Sequence, residues 1–218
     1  MGVKLYGFWR SLASFRVRIA LNLKGIPFEE TVVDLLAGQQ LADGYRRVNP
    51  QAVVPALLDG DGAPLFQSLA ILEYLDETHP EPPLLPKEPR ARARVRGLGM
   101  ITACDVHPLI VPRIRNYLGN ELKLDEPTRL KWIRHWFDEG SRAIESHLAN
   151  EQETGRYCHG DQVTMADVCV VSHAAGAKIF ECDPAPFPAL HRIVAECFKL
   201  DAFARAHPLK QPGAQAAH

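Results

Sequence analysis

The chain has 218 residues, 46% of them hydrophobic and 23% charged, and a formal net charge of -1. That composition describes a globular protein with enough apolar mass for one large core or two small ones. The balanced charge gives no reason to expect a nucleic-acid or anionic-membrane partner. No apolar run approaches the ~20 residues of a bilayer span, and the N-terminus enters a predicted strand almost at once, without a signal peptide, so a cytoplasmic protein is expected. Cys104, Cys158, Cys169, Cys182 and Cys197 are an odd number of cysteines without a Cys-x-x-Cys pair, the pattern of reduced and mostly buried thiols. Cys104 with His107, and Cys158 with His159, lack the four-ligand spacing of a structural zinc, and no metal is expected.

In chain order, residues 4–9 read as an apolar strand that passes through a polar turn, Arg10 and Ser11, into a helix. Its apolar positions Val17, Ala20, Leu21 and Leu23 share one face. Gly25-Ile26-Pro27 ends that helix, and residues 28–35 form a second strand rich in β-branched side chains. A weakly helical stretch, 37–47, leads to two short apolar runs, 53–58 and 64–66, separated by the hairpin signal Asp59-Gly60-Asp61-Gly62. Ser68 then opens a helix that buries Leu69, Leu72 and either Leu75 or Ile71, and stops before Pro80. This order predicts a thioredoxin-like domain over residues 1–80, with a mixed four-stranded sheet and helices on both faces.

Prolines at 80, 82, 83, 86 and 89 make residues 81–89 a stiff linker. Residues 90–208 then read as an all-helical domain, so the fold class is α+β. One long helix runs from Arg90 to about Leu118, interrupted or kinked near Pro108 and Pro112, and its basic cluster between Arg90 and Arg96 reads as a solvated face. Asp125-Glu126-Pro127 opens a second helix, with Leu130, Ile133, Phe137, Ile144 and Leu148 at helical spacing. Thr164-Met165-Ala166-Asp167 is a capping box. A further helix covers 188–198, and residues 209–218 read as an unstructured tail.

Three stretches carry chemistry. The helix start at Ser11 and Ser14 offers unpaired backbone N–H groups and about half an elementary charge, which suits an anion as well as it suits a simple serine cap. Val53-Val54-Pro55 enters a strand, and a cis Val54-Pro55 bond there would turn the Val54 backbone outward to pair with an extended peptide. Gln67-Ser68 provides a second helix start for a carboxylate, with an amide beside it. Together they suit a small peptide with an anionic end and an ionisable group.

The segments 10–21, 49–57, 67–75 and 164–167 are similar, in order and spacing, to the zeta-class glutathione transferases. Phe8 to Ser11, Asn22 to Gly25 and Cys104 to Pro108 further resemble the bacterial glutathione-dependent maleylpyruvate and maleylacetoacetate isomerases. The resemblance implies the glutathione transferase fold, glutathione as cofactor, a homodimer, and cis-trans isomerisation of a 2,4-dioxo dicarboxylate. It also implies that Val54 before a cis Pro55 pairs with the cysteinyl backbone of glutathione. Gln67 and Ser68 hold its γ-glutamyl end, and Gln40 and His107 add contacts. Ser11, with Ser14 nearby, faces the sulfur, and Arg10 and Arg113 bind substrate.

A free thiol has a pKa of about 8.5, and lowering it by about two units takes roughly 2 to 3 kcal/mol. A hydroxyl donor to an anion supplies about 1.5 to 3 kcal/mol and a helix terminus up to about 1. Two positions depart from the family pattern. Leu12 and Ala13 replace a serine and a cysteine, and Ile179 stands where relatives carry an arginine thought to bind a substrate carboxylate; the adjacent Lys178 points about 100° away around the helix. A general transferase acting on a more apolar electrophile is therefore the second expectation, and a non-catalytic binding protein of the same fold the third.

Overall fold

In the computed structural model, residues 2–214 are described, and the chain divides into two compact units. The first unit comprises the first 84 residues together with the segment from Lys199 onward; the second is Leu85–Phe198. Strand β1 (Val3–Gly7) leads through the Phe8 to Ser11 turn into helix α1 (Leu12–Leu23), and β2 (Phe28–Val32) returns parallel to β1. A short 3-10 turn (Gln39–Leu41) and α2 (Asp43–Arg46) precede β3 (Ala56–Leu58), β4 (Leu65–Phe66) and α3 (Ser68–Thr78). The sheet order is β2-β1-β3-β4. Tyr6 lies opposite Ala56 in the antiparallel β1 and β3 pair, and Ala56 opposite Phe66 in the β3 and β4 pair. This is the mixed four-stranded sheet expected from the sequence.

Helix α1 departs from the amphipathic expectation. Every residue from Leu12 to Leu21 is buried, including Arg16 and Arg18. A guanidinium taken out of water needs partners, because an uncompensated buried charge costs several kcal/mol. Arg18 donates through Nη1 to Glu30 Oε1 at 2.9 Å and through Nη2 to the Trp9 carbonyl at 3.1 Å. The Glu30 carboxylate fills the space that a Cβ at Gly7 would occupy, so a larger residue there would push that carboxylate away from its place beside Arg18. Ile71, Leu72 and Leu75 of α3 are fully buried, whereas Leu69 is only half-buried.

In the second unit, the long helix expected from residue 90 is four pieces. Helix α4 (Pro89–Met100) runs into a π-helical turn (Ile101–Val106), then α5 (His107–Ile110) and α6 (Pro112–Asn120). The break falls at Val111, whose extended backbone (φ -66°, ψ 158°) suits a residue before proline. Pro108 closely follows the π turn, in the first turn of α5, so the α-helical pattern is also interrupted beside it. Helix α7 (Glu126–Asn150) is capped by Asp125, which accepts from the Thr128 N–H at 2.9 Å. The π turn approaches α7 at Gly140, where a Cβ would collide with Val106.

Helix α8 (Met165–Ile179) opens with the Asp167 carboxylate accepting from the Thr164 N–H at 2.7 Å and the Cys158 N–H at 2.8 Å, and α9 (Pro188–Cys197) follows. The basic face of α4 is not simply solvated. Arg94 donates to Glu151 at 2.6 Å, to the Cys158 carbonyl at 2.7 Å and to Thr154 at 2.9 Å, tying α4 to the loop after α7.

The helical domain expected over 90–208 ends at Phe198. Helix α10 (Asp201–Ala206), which the sequence does not announce, packs on α1, and Asn22 Nδ2 donates to the Ala202 carbonyl at 3.0 Å. The expected tail begins instead with a 3-10 turn (Pro208–Lys210) and a buried Ala214; the remainder of that tail, 215–218, lies outside the described residues. The expected linker is likewise anchored at its start. Lys24 Nζ donates to Asp76 at 2.7 Å and to the Pro82 carbonyl at 2.6 Å, and Asp76 also accepts from the Leu84 N–H at 2.7 Å. Among the described residues, no helix is long and apolar enough to cross a membrane.

Removing one partner of the Arg18 and Glu30 pair leaves a buried charge. Glu30→Ala is expected to lower unfolding free energy by about 3 to 5 kcal/mol in urea titrations, against less than about 1 kcal/mol for Glu29→Ala at the exposed neighbour.

Candidate functional site

The Phe8 to Ser11 turn is held from behind by the Arg18 bond to the Trp9 carbonyl. Ser11 is the N-cap of α1, and its Oγ accepts from the Ser14 N–H at 3.1 Å. The cap uses a lone pair only. Among the described residues nothing accepts the Ser11 hydroxyl hydrogen, so the same side chain can cap the helix and donate to an anion. Ser14, expected beside it as a catalytic group, is fully buried and its Oγ accepts from the Phe8 N–H at 3.4 Å. It shapes the turn from within and does not present its oxygen outward. Leu12 and Ala13 are also buried, and Arg10 is half-buried in the turn itself.

The Val54-Pro55 bond is cis. The turn before it is pinned at one atom: the Val53 carbonyl accepts from the Tyr45 hydroxyl at 2.7 Å and from Asn49 Nδ2 at 2.8 Å. Asn49 Oδ1 in turn accepts from the Gln51 N–H at 3.1 Å. Burial pushes the Tyr45 phenol up to about 12. Tyr45 and Val54 belong to a small core with Phe8 and Val33, flanked by Tyr6 and Trp9. Val54 precedes the β3 ladder, which starts at Ala56, and among the described residues neither of its backbone groups is hydrogen-bonded. That unpaired amide and carbonyl match what an added peptide strand requires.

Gln67 sits at the start of α3 with φ 67° and ψ 118°, a conformation that L side chains rarely adopt and that costs of order 1 to 3 kcal/mol. Its Nε2 donates to Gln51 Oε1 at 2.9 Å. Ser68, the first residue of α3, is 5% exposed, and its Oγ accepts from Arg16 Nε at 3.0 Å. Gln40 lies on the 3-10 turn, and its Oε1 is buried with no partner among the described residues. An acceptor in that state, two serine hydroxyls with uncommitted hydrogens and an open backbone edge fit a peptide carrying N–H groups, a carboxylate and a thiol.

The remaining candidates belong to the second unit. His107 is the half-buried first residue of α5, and Arg113 is exposed on α6. Ile179 is the last residue of α8 and is 37% exposed. Two cations that the sequence reading missed surround the end of that helix. Arg134 Nε donates to the Phe180 carbonyl at 2.8 Å, and the Arg115 guanidinium lies 5.5 Å from the Phe180 ring centroid. Tyr45, Asn49, Arg16 and Arg18 were also missed. Among the described residues, no cluster of three or more His, Cys, Asp or Glu side chains is arranged to hold a metal ion.

Residues 10–78 match the family model described as "Glutathione S-transferase, N-terminal domain". A maleylpyruvate isomerase from Ralstonia sp is 44% identical over 210 residues, covering 96% of this chain and 99% of that protein. The crystal structure of a maleylacetoacetate isomerase from Methylobacterium extorquens AM1, with bound malonate and glutathione, superposes with a TM-score of 0.95 at 55% identity. It covers 97% of this chain and 99% of its own. The holo structure of a maleylpyruvate isomerase described as a bacterial zeta-class glutathione S-transferase gives a TM-score of 0.94 at 44% identity, over 97% of this chain and 99% of that one.

The raised Tyr45 pKa has a pH signature. The buried phenol holds its proton more tightly in the folded than in the unfolded chain, so its contribution is complete below about pH 10 and is lost as pH rises toward about 12. Tyr45→Phe is expected to cost about 1 kcal/mol at neutral pH through the lost bond to Val53. Urea midpoints of the two proteins should converge between about pH 10 and 12.

Proposed function

Because the chain belongs to the zeta-class glutathione transferase family, we propose that it is a glutathione-dependent cis-trans isomerase of a 2,4-dioxo dicarboxylate such as maleylacetoacetate or maleylpyruvate. The observation that carries this reading is the likeness, over 97% of the chain, to a maleylacetoacetate isomerase that holds glutathione and malonate. In this reading Val54 pairs with the cysteinyl backbone, Gln67 and Ser68 hold the γ-glutamyl end, and Gln40 and His107 complete the grip. Bound glutathione supplies a thiolate, the nucleophile toward the substrate's cis double bond. Ser11 donates its free hydroxyl hydrogen to that sulfur, and the α1 N-terminus adds its partial positive charge. Arg10 and Arg113 bind substrate carboxylates and stabilise charge that develops on the substrate oxygens. Catalysis then needs no general base in the protein, only orientation and fixed dipoles.

The edge strand β4 carries Phe66, 58% exposed. An exposed aromatic on an unpaired edge suits burial against a second copy, and a homodimer is part of the proposal. Five free cysteines suit the reducing cytoplasm. A second reading, transfer of glutathione to an apolar electrophile, is favoured by the exposed Ile179 at the end of α8.

Assays with glutathione and maleylacetoacetate or maleylpyruvate, run beside a generic electrophile, separate the two readings. Isomerisation well above the background rate supports the first. Turnover of the electrophile alone supports the second, and an absence of thermal stabilisation by millimolar glutathione would argue for a non-catalytic protein. Ser11→Ala is expected to lower kcat by about ten- to a hundredfold, the equivalent of one charge-assisted hydrogen bond, with glutathione KM nearly unchanged. Ile179→Arg is expected to raise isomerase kcat/KM and to leave activity on the apolar electrophile unimproved.

A further inference from the structure

We propose that Arg16 is a positioning residue for the α-carboxylate at the γ-glutamyl end of glutathione, acting through Ser68. The inference rests on the glutathione reading above and adds a residue to it. Arg16 is 2% exposed, in the middle of a helix that is buried on all sides, and its Nε donates to Ser68 Oγ at 3.0 Å. A serine hydroxyl has one hydrogen and two lone pairs, while a guanidinium donates only. With Arg16 as donor, the Ser68 hydrogen has to point elsewhere. Among the described residues nothing accepts it, although Ser68 is only 5% exposed.

Ser68 also begins α3, where the first-turn N–H groups lack helical acceptors, and the left-handed backbone of Gln67 sets the direction in which that turn opens. The missing acceptor at this place is an anion. Arg16 thus does two things for a bound carboxylate: it fixes the sense of the Ser68 hydrogen bond, and it places a full positive charge one hydrogen bond behind it. A neutral donor in place of Arg16 would supply no charge, and a residue without a donor would let Ser68 rotate.

The alternative is that Arg16 merely ties α1 to α3. The two roles differ in what they do to ligand discrimination. The test compares glutathione with its analogue in which the γ-glutamyl α-carboxylate is a carboxamide, by calorimetric titration and by kinetics, in the full-length wild type, Arg16→Gln, Ser68→Ala and the double variant. Wild type should prefer glutathione by at least about tenfold. Arg16→Gln should reduce that preference to within about threefold, raise KM for glutathione and leave kcat at saturating glutathione nearly unchanged. On the Ser68→Ala background the Arg16 substitution should have little further effect, because the two residues act as a unit.

Equal weakening of both ligands in Arg16→Gln, or retention of the wild-type preference, would overturn the proposal. Failure of the wild type to bind glutathione would instead remove the reading beneath it. Should Arg16→Gln not fold, nitrogen-15 NMR of the wild type decides: the Arg16 Nε–H resonance should shift with glutathione and not with the carboxamide, and an identical response to both would reject the role.

Discussion

The interaction on which the first unit depends is the compensation of two guanidiniums inside a helix that has no solvent face. Arg16 and Arg18 are buried along with every neighbour from Leu12 to Leu21. Each needs oxygen partners, and some of those partners shape the candidate site. Arg18 takes Glu30 and the Trp9 carbonyl, which fixes the turn carrying Arg10 and Ser11. Arg16 takes Ser68, at the start of α3. Contacts that hold the guanidiniums of α1 therefore also hold two turns of the candidate site.

A second set of contacts prepares the backbone edge. Two donors on one carbonyl, Tyr45 and Asn49 on Val53, hold the chain just before the cis Val54-Pro55 bond, and Val54 is left outside the ladder. Backbone pairing reads the peptide frame of a ligand without regard to most of its side chains, whereas helix starts such as those at Ser11 and Ser68 suit charged groups. The strained Gln67 lies at the junction of these two modes. Such a conformation persists where the surroundings fix it, here through Gln51 and the first turn of α3.

Much of this frame can be read from the residues. Strand and helix periods, the Asp59 to Gly62 hairpin and the Asp125 and Thr164 helix starts lead to the observed sheet and to most of the helices. Ser11, Val54 and Ser68 are visible as helix starts and a strand entry. What escapes has identifiable physical causes. A periodic pattern assigns charged helix residues to solvent, so Arg16, Arg18 and Arg94 are misplaced: their burial depends on oxygens supplied from 9 to 64 residues away. The cis state of Pro55 and the π turn at 101–106 leave no local composition signal. Ser14 looks equivalent to Ser11, but it lies in a helix whose residues from Leu12 to Leu21 are all buried. The six residues of α10 are too few for a periodicity to show, and their stability comes from α1.

That last contact bears on how the protein is made. Asn22 and Ala202 are 180 residues apart, and α10 covers a helix that is synthesised well before it. At bacterial or eukaryotic elongation rates the interval is roughly 10 to 40 s. During it the sheet and α1 can form local structure but lack their final cover, so the first unit is completed only after the whole of the second has been synthesised. A chain truncated after Phe198 would lack that cover, leaving the α1 face that α10 packs on exposed to water.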